Sequence, residues 1–308
     1  MLRAVRNISW VNKPVRSVFR KMGRLGIALS ARWPVSGIVP LKFDEIPFLM
    51  YSEGDDHIAN SLYYKRKKFE ERGDLRLFLS CAKKSSVIFD VGANTGLYTI
   101  LSHIISPAAS ISCFEPSPSN LARLRINLDL NNTRAEIVNV AVGDKKGSIQ
   151  FFVPQNNSIS DTSSAIHEFS ESTYNGKVKW KPINVDQITL DSFVSGKHIK
   201  EVDLIKIDVE GYEKAVFNGA LQLLEVCRPV IQCEIFLDQD KKEFFDSILK
   251  NYGYTAYMIK DDGLVRIDQD MKVNEGHRNY LFSVQKTRNI FCPFNNLEIL
   301  SDELIKPR

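Results

Sequence analysis

The sequence predicts an α/β fold: an open, mainly parallel sheet covered by helices on both faces, preceded by a helical N-terminal extension and interrupted by an inserted β/loop segment. Two observations carry this expectation. From residue 85 onward, short apolar runs alternate with helix-patterned segments, a rhythm that implies right-handed crossovers between parallel strands. Several of those runs also end in ionisable residues, at the strand ends where open parallel sheets hold ligands.

The first 84 residues form the extension. At 14–25 the apolar residues Val15, Val18, Phe19, Met22 and Leu25 recur at helical spacing, while Arg16, Arg20, Lys21 and Arg24 fill the other face. This basic amphipathic helix leaves two readings open: peripheral docking on an anionic inner membrane face, or packing on its own domain. Residues 1–42 hold nine of the 41 basic residues and no acidic one, which leaves 32 basic against 37 acidic residues in the rest. The basic character therefore belongs to this segment alone. The most apolar early stretch, 25–41, is broken by Arg32, Pro34 and Pro40, too short a run to span a bilayer. With no secretory leader in the sequence, the expected location is the cytoplasm. The basic cluster at 65–68 is followed at once by Glu70, Glu71 and Asp74, so it reads as a solvated helix face, not a nucleic-acid patch.

The core domain is expected over 85–286, with a tail over 287–308. Its strands are predicted at 86–91, 110–115, 136–142, 202–208, 229–235, 254–259 and 280–285, and its helices at 95–105, 117–131, 212–225 and 239–252. No full helix separates the last two strands, so the final one is expected to run antiparallel. Between 147 and 190 two extended pieces flank a polar loop at 154–176, long enough to be either a functional lid, the favoured reading, or a disordered insert. The five cysteines are odd in number and include no C-x-x-C pair, which reads as buried thiols in a reducing compartment.

The strand ends supply the candidate site. The first strand ends at Asp90 and turns through "GANTG" into a helix that Thr95 can cap. Gly92 and Gly96 allow close backbone approach, but the spacing is not the G-x-G-x-x-G of a pyrophosphate loop. The second strand ends in Glu115, placed to accept hydrogen bonds from vicinal ribose hydroxyls. The third runs into "AVGD", where Ala141, Val142 or Asp144 can meet an adenine edge. Together these suggest an adenosine moiety without a pyrophosphate. The fourth strand carries Lys206, Asp208 and Glu210 at alternate positions, on one side while the chain stays extended. Ionisable groups leading out of an apolar strand are costly unless paired or used; with Glu234 ending the fifth strand they make candidates for a general base. Asp208, Glu210 and Glu234 would suit a hard divalent cation such as Mg²⁺, but this spacing is not a metal signature, and the metal question stays open. Of the five histidines, His277 alone lies near the expected site edge, and His103 reads as a core residue.

The motifs "VIFDVGANTGLYT", "ISCFEP", "NVAVGDKKG", "ITLDSF", "DLIKIDVEGYE" and "NYLF", in this order over 85–285, resemble the FkbM family of S-adenosylmethionine-dependent methyltransferases. The resemblance implies a class I methyltransferase (Rossmann-like) sheet of seven strands with the last antiparallel. It implies methyl transfer to a hydroxyl of a sugar, glycolipid or natural product. Asp90, Gly92, Ala93, Asn94 and Gly96 would line the methionine part of the cofactor, Glu115 the ribose, and Ala141, Val142 and Asp144 the adenine. Asp208 and Glu210 would face the acceptor, with a strand-end carboxylate as base and Lys206 as the alternative. N-methylation of nucleic acid or protein is a second reading, disfavoured by a net acidic core and by the absence of an Asn-Pro-Pro-Tyr or Asp-Pro-Pro-Tyr motif. A non-catalytic adaptor that keeps the fold is a third.

Overall fold

The computed structural model describes residues 33–65, 72–155, 163–166, 178–235, 239–260, 263–267 and 278–284, together with Val18. The amphipathic helix at 14–25, the side chains of the 65–68 cluster, most of the 154–176 loop, His277 and the tail fall outside these residues. Among the described residues, no helix is long and apolar enough to cross a membrane.

The N-terminal part, expected as a mainly helical extension, opens with a hairpin. Strands β1 (Ser36–Phe43) and β2 (Ile46–Glu53) pair antiparallel around a turn with Asp44 in the left-handed region. Val39, Leu41 and Phe43 bury one face of β1, with Ile38, Pro40 and Lys42 exposed between them, the period-2 pattern of a half-buried strand. Pro40 and Pro47 hid this pattern, because proline weakens a strand assignment and is tolerated at edges. Helices α1 (His57–Lys65) and α2 (Arg72–Ala82) follow.

The core then runs β3 (Val87–Val91), α3 (Leu97–Ile105), β4 (Ser110–Phe114), α4 (Pro118–Leu130) and β5 (Glu136–Val138). A small second sheet comes next, from β6 (Ala141–Val142), β7 (Gly147–Pro154) and β8 (Trp180–Ile188), in the order β6-β8-β7. The chain continues through α5 (Leu190–Lys197), β9 (Leu204–Ile207), α6 (Glu213–Asn218), α7 (Leu221–Val226), β10 (Val230–Glu234), α8 (Gln239–Tyr252), β11 (Thr255–Lys260), β12 (Gly263–Ile267) and β13 (Asn279–Ser283).

The main sheet has the order β12-β11-β13-β10-β9-β3-β4-β5. Strands β5, β4, β3, β9 and β10 run parallel, while β13 is antiparallel to both β10 and β11, the direction expected for the final strand. The sheet has eight strands, not the expected seven, because the short run "GLVRI" folds back on β11 as an antiparallel edge. The expected strand over 136–142 also divides: β5 stays in the main sheet and β6 leaves to pair with β8. The expected helix over 212–225 breaks into α6 and α7 at Gly219, where a Cβ would lie 1.9 Å from the Gly143 carbonyl oxygen. Chain order reverses between β3 and β9, which places the ligand crevice of a doubly wound sheet at their carboxyl ends.

Apolar clusters fill both faces of this sheet. Ile88, Ile111 and Leu204 meet α2, α3, α4 and the hairpin on one side. Phe89, Ile205, Ile231 and Phe282 meet α5 to α8 on the other, with Phe217, Phe245 and Phe282 in mutual ring contact. Cys81, Cys113 and Cys233 are buried free thiols whose pKa values are raised by desolvation.

The hairpin is stitched to α4 by side chains. Asn131 accepts from the Leu49 N–H (2.9 Å) and donates to the Leu49 C=O (2.7 Å), while Asn127 accepts from the Tyr51 N–H (2.7 Å). These amides occupy the outer edge of β2, which would otherwise present unpaired backbone groups. Asn131→Ala is expected to lower the unfolding free energy by about 1–3 kcal/mol, the usual cost of stranding partly buried polar groups. Denaturant titration checks this, and an unchanged midpoint would show that the asparagine clamp contributes nothing.

Candidate active site

A cleft opens at the carboxyl ends of β3, β4, β9 and β10, and its lining includes eleven of the thirteen site residues expected from the sequence. The loop after β3 is built by glycines, though not for the reason the spacing suggested. Gly92 has φ 84°, and a Cβ there would sit 1.8 Å from the Asp208 carbonyl oxygen. Asp208 N–H in turn donates to the Val91 C=O at 2.9 Å. The exits of β3 and β9 therefore touch backbone to backbone, and only glycine fits the contact. Gly96 lies outside the cleft: its Cβ would meet Leu124 Cδ1 at 2.6 Å, so its role is close packing of α3 on α4. Thr95 does not cap α3. Gly96 occupies that position, and the buried Thr95 hydroxyl has no hydrogen-bond partner among the described residues.

Glu115 follows β4 and is buried, with each carboxylate oxygen accepting one backbone N–H: Asn94 to Oε2 and Ser117 to Oε1, both at 2.8 Å. Burial outweighs those two bonds and pushes its pKa up to about 8. Ala141 and Val142 line the cleft where β6 leaves the main sheet. Asp144 does not; it is exposed, facing the Gln187 amide at 3.4 Å, because the chain has turned away after Gly143.

The charged floor is a cross-strand arrangement. Lys206 on β9 lies in register with Asp90 on β3 and Gln232 on β10, so all three share one face. Lys206 is 3% exposed, donates to Asp208 Oδ2 at 2.9 Å and sits 4.9 Å from the Tyr98 ring centroid, a favourable cation–π distance. Asp90 accepts from Thr99 Oγ1 at 2.6 Å. Burial raises the Asp90 pKa, and the Thr99 hydrogen bond and the Lys206 charge oppose that rise.

The expected alternation of Lys206, Asp208 and Glu210 along an extended strand stops at Ile207. Glu210 has φ 51° and Gly211 φ 98°, so Glu210 reaches the cleft through a turn, not by strand geometry. Its carbonyl accepts from the buried Ser164 hydroxyl at 2.7 Å, which anchors 163–166 beside the site. Glu234 lines the cleft from the end of β10. Among the described residues, no group of three or more His, Cys, Asp or Glu is arranged to hold a metal ion. Sequence reasoning missed His57, Tyr98, Asn120, Phe151, Ser163 and Tyr212, all of which line the cleft. Tyr98 alone had a local signal, lying just after the glycine loop on the first turn of α3.

A doubly wound α/β sheet with an acid-lined crevice at its switch point, and a glycine turn beside a buried strand-end glutamate, defines the class. Residues 90–256 match the family described as Methyltransferase FkbM domain, and the chain belongs to that family. It is similar to the 2-O-methyltransferase NoeI of Sinorhizobium fredii, 31% identical over 157 residues, which are 47% of this chain and 62% of the relative. It is also similar to the hexuronic acid methyltransferase AglP of Haloferax volcanii, 27% identical over 176 residues, 56% of this chain and 65% of that protein. The chain thus spans less than two thirds of the length of these two relatives. Among solved structures, methyltransferase FkbM of Methylobacillus flagellatus KT superposes with a TM-score of 0.42 at 15% identity, covering 74% of this chain and 55% of that one.

Proposed function

We propose that this chain is an S-adenosylmethionine-dependent O-methyltransferase whose acceptor is a hydroxyl of a sugar, glycolipid or natural product. The observation that carries the reading is Glu115, a buried carboxylate at the cleft wall whose two oxygens each accept one backbone N–H from the described residues. A carboxylate oxygen has room for a further hydrogen bond, so Glu115 can receive both hydroxyls of a ribose. Asp90, Gly92, Ala93 and Asn94 would hold the methionine part, and Ala141 and Val142 the adenine. The names of the relatives, a 2-O-methyltransferase and a hexuronic acid methyltransferase, support a hydroxyl-bearing acceptor.

When bound, the cofactor supplies a methyl group already activated on a sulfonium. The chain must align the acceptor oxygen and accept its proton. Asp208 is suited to accept it, because Lys206 fixes Oδ2 and leaves Oδ1 to take the proton. Lys206 itself is a poor base, since its ammonium is held by that carboxylate and has no lone pair to offer. Glu210 and Glu234 complete the acceptor side. With Asp208 paired to the lysine and Glu115 largely neutral near pH 7, Glu210 and Glu234 still leave the lining without an excess of positive charge to meet phosphates, which disfavours a nucleic-acid substrate. The basic segment at 14–25 is retained as a candidate peripheral membrane contact, and 85–286 as the methyltransferase domain.

The direct test is transfer of labelled methyl from S-adenosylmethionine onto fractions of host glycans, glycolipids and small molecules. Label in an alkali-stable ether is the expected product; label confined to protein or nucleic acid would replace this reading.

The raised pKa of Glu115 adds a linkage prediction. Ribose hydroxyls donating to both oxygens favour the ionised form, so binding pulls the pKa of about 8 downward and releases a proton below that pH. Affinity for S-adenosylhomocysteine is expected to tighten as pH rises from 6 to about 8 and then level off. Calorimetry in buffers of different ionisation heat measures the proton count. Equal proton release in wild type and Glu115→Gln would rule Glu115 out as its source.

A further inference from the structure

The family match begins at residue 90, yet two cleft residues, His57 and Ile58, come from α1, ahead of it. More than apolar packing fixes α1 there. The buried Asp56 accepts from the Ala59 N–H at 2.8 Å, which caps the helix. Asn60 accepts from the Val35 N–H at 2.7 Å and donates to the Asp56 C=O at 2.9 Å. Ile58 packs on the core cluster that also contains the hairpin residues Val39 and Met50. The first turn of α1 is thus held as a fixed wall of the cleft, and His57 stands on it exposed to solvent.

The residues assigned to the methyl donor all belong to the stretch shared with the family. The acceptor differs between relatives, one named for hexuronic acid and another for 31-O-demethyl-FK506. A cleft residue supplied from outside the shared stretch fits the variable partner. The sheet edge offers carboxylates, which only accept when ionised, and a lysine already bound to Asp208. A neutral imidazole carries one donor and one acceptor nitrogen, a capacity a polyhydroxylated acceptor can use.

We infer that His57 is an acceptor-binding residue: its imidazole hydrogen-bonds the hydroxyl-bearing molecule from the α1 wall while Asp208 takes the proton from the sheet edge. This rests on the methyltransferase reading, and its test separates the two. Full-length wild type, His57→Ala and His57→Gln are compared in two assays: calorimetry with S-adenosylhomocysteine, and transfer of labelled methyl onto the host carbohydrate extract as the extract is diluted. The expected result is unchanged S-adenosylhomocysteine affinity in both variants, with transfer at low extract reduced about tenfold in His57→Ala through a higher half-saturating amount of extract. His57→Gln, which keeps a donor and an acceptor, recovers part of the loss. Full transfer by His57→Ala, or a fall in S-adenosylhomocysteine affinity matching the fall in transfer, overturns the assignment. A wild type that binds no S-adenosylhomocysteine overturns the functional reading beneath it.

Discussion

Asp208→Asn is expected to lower methyl transfer by about 10²-fold or more, the usual worth of a positioned base, while S-adenosylhomocysteine still binds. The amide keeps the size and one acceptor oxygen, so the hydrogen bond from Lys206 Nζ, 2.9 Å in the wild type, can survive. What is lost is the ability to take a proton. The loss should fall in kcat with little change in cofactor affinity, the pattern of an interaction made only in the transition state. Lys206 is deeply buried, and neutralising its partner removes a compensating charge, so stability must be measured alongside turnover. Near-normal turnover in a folded Asp208→Asn protein would remove Asp208 as the base and direct attention to Glu210.

Gly92→Ala is expected to damage both the fold and the cofactor site. The left-handed backbone alone costs a non-glycine residue about 1–2 kcal/mol. To that is added a Cβ 1.8 Å from the Asp208 carbonyl oxygen, which forces the exits of β3 and β9 apart and moves Asp208 off its place beside Lys206. Gly37 supplies the control: its φ is 78°, similar to that at Gly92, but a Cβ there meets none of the described residues within 4 Å. Gly37→Ala should show the backbone cost alone. If the two variants melt at the same temperature and bind S-adenosylhomocysteine equally, the close approach of the β3 and β9 loops has no functional weight.

The strand-end groups of the cleft were legible because a parallel sheet sends its crevice to one edge, and Asp90, Glu115, Asp208 and Glu234 end or follow strands marked by their apolar runs. The roles of the two glycines were legible only in part. Spacing announces close approach but not what approaches: the Asp208 backbone at Gly92, and Leu124 at Gly96. The β1–β2 hairpin was hidden because Pro40 and Pro47 weaken its strand pattern and because its edge is completed by Asn131, 82 residues from Leu49 in sequence, a partner no local pattern reveals. His57 was missed for the same reason: nothing near it in the chain resembles a site, and only the docking of α1 brings it to the cleft. The division of 136–142 into β5 and β6 reflects a choice between two sheets, made by pairing with β8 and not by the propensity of the run itself.

Whether the cleft holds an adenosine-based methyl donor through Glu115 is read from calorimetric titration of S-adenosylhomocysteine into wild type and Glu115→Ala. The expected result is one site per chain in the wild type and an affinity loss of at least about tenfold in the variant, the order of a charged hydrogen-bonding group removed. Equal affinity in the two proteins, or no binding to the wild type, would contradict it.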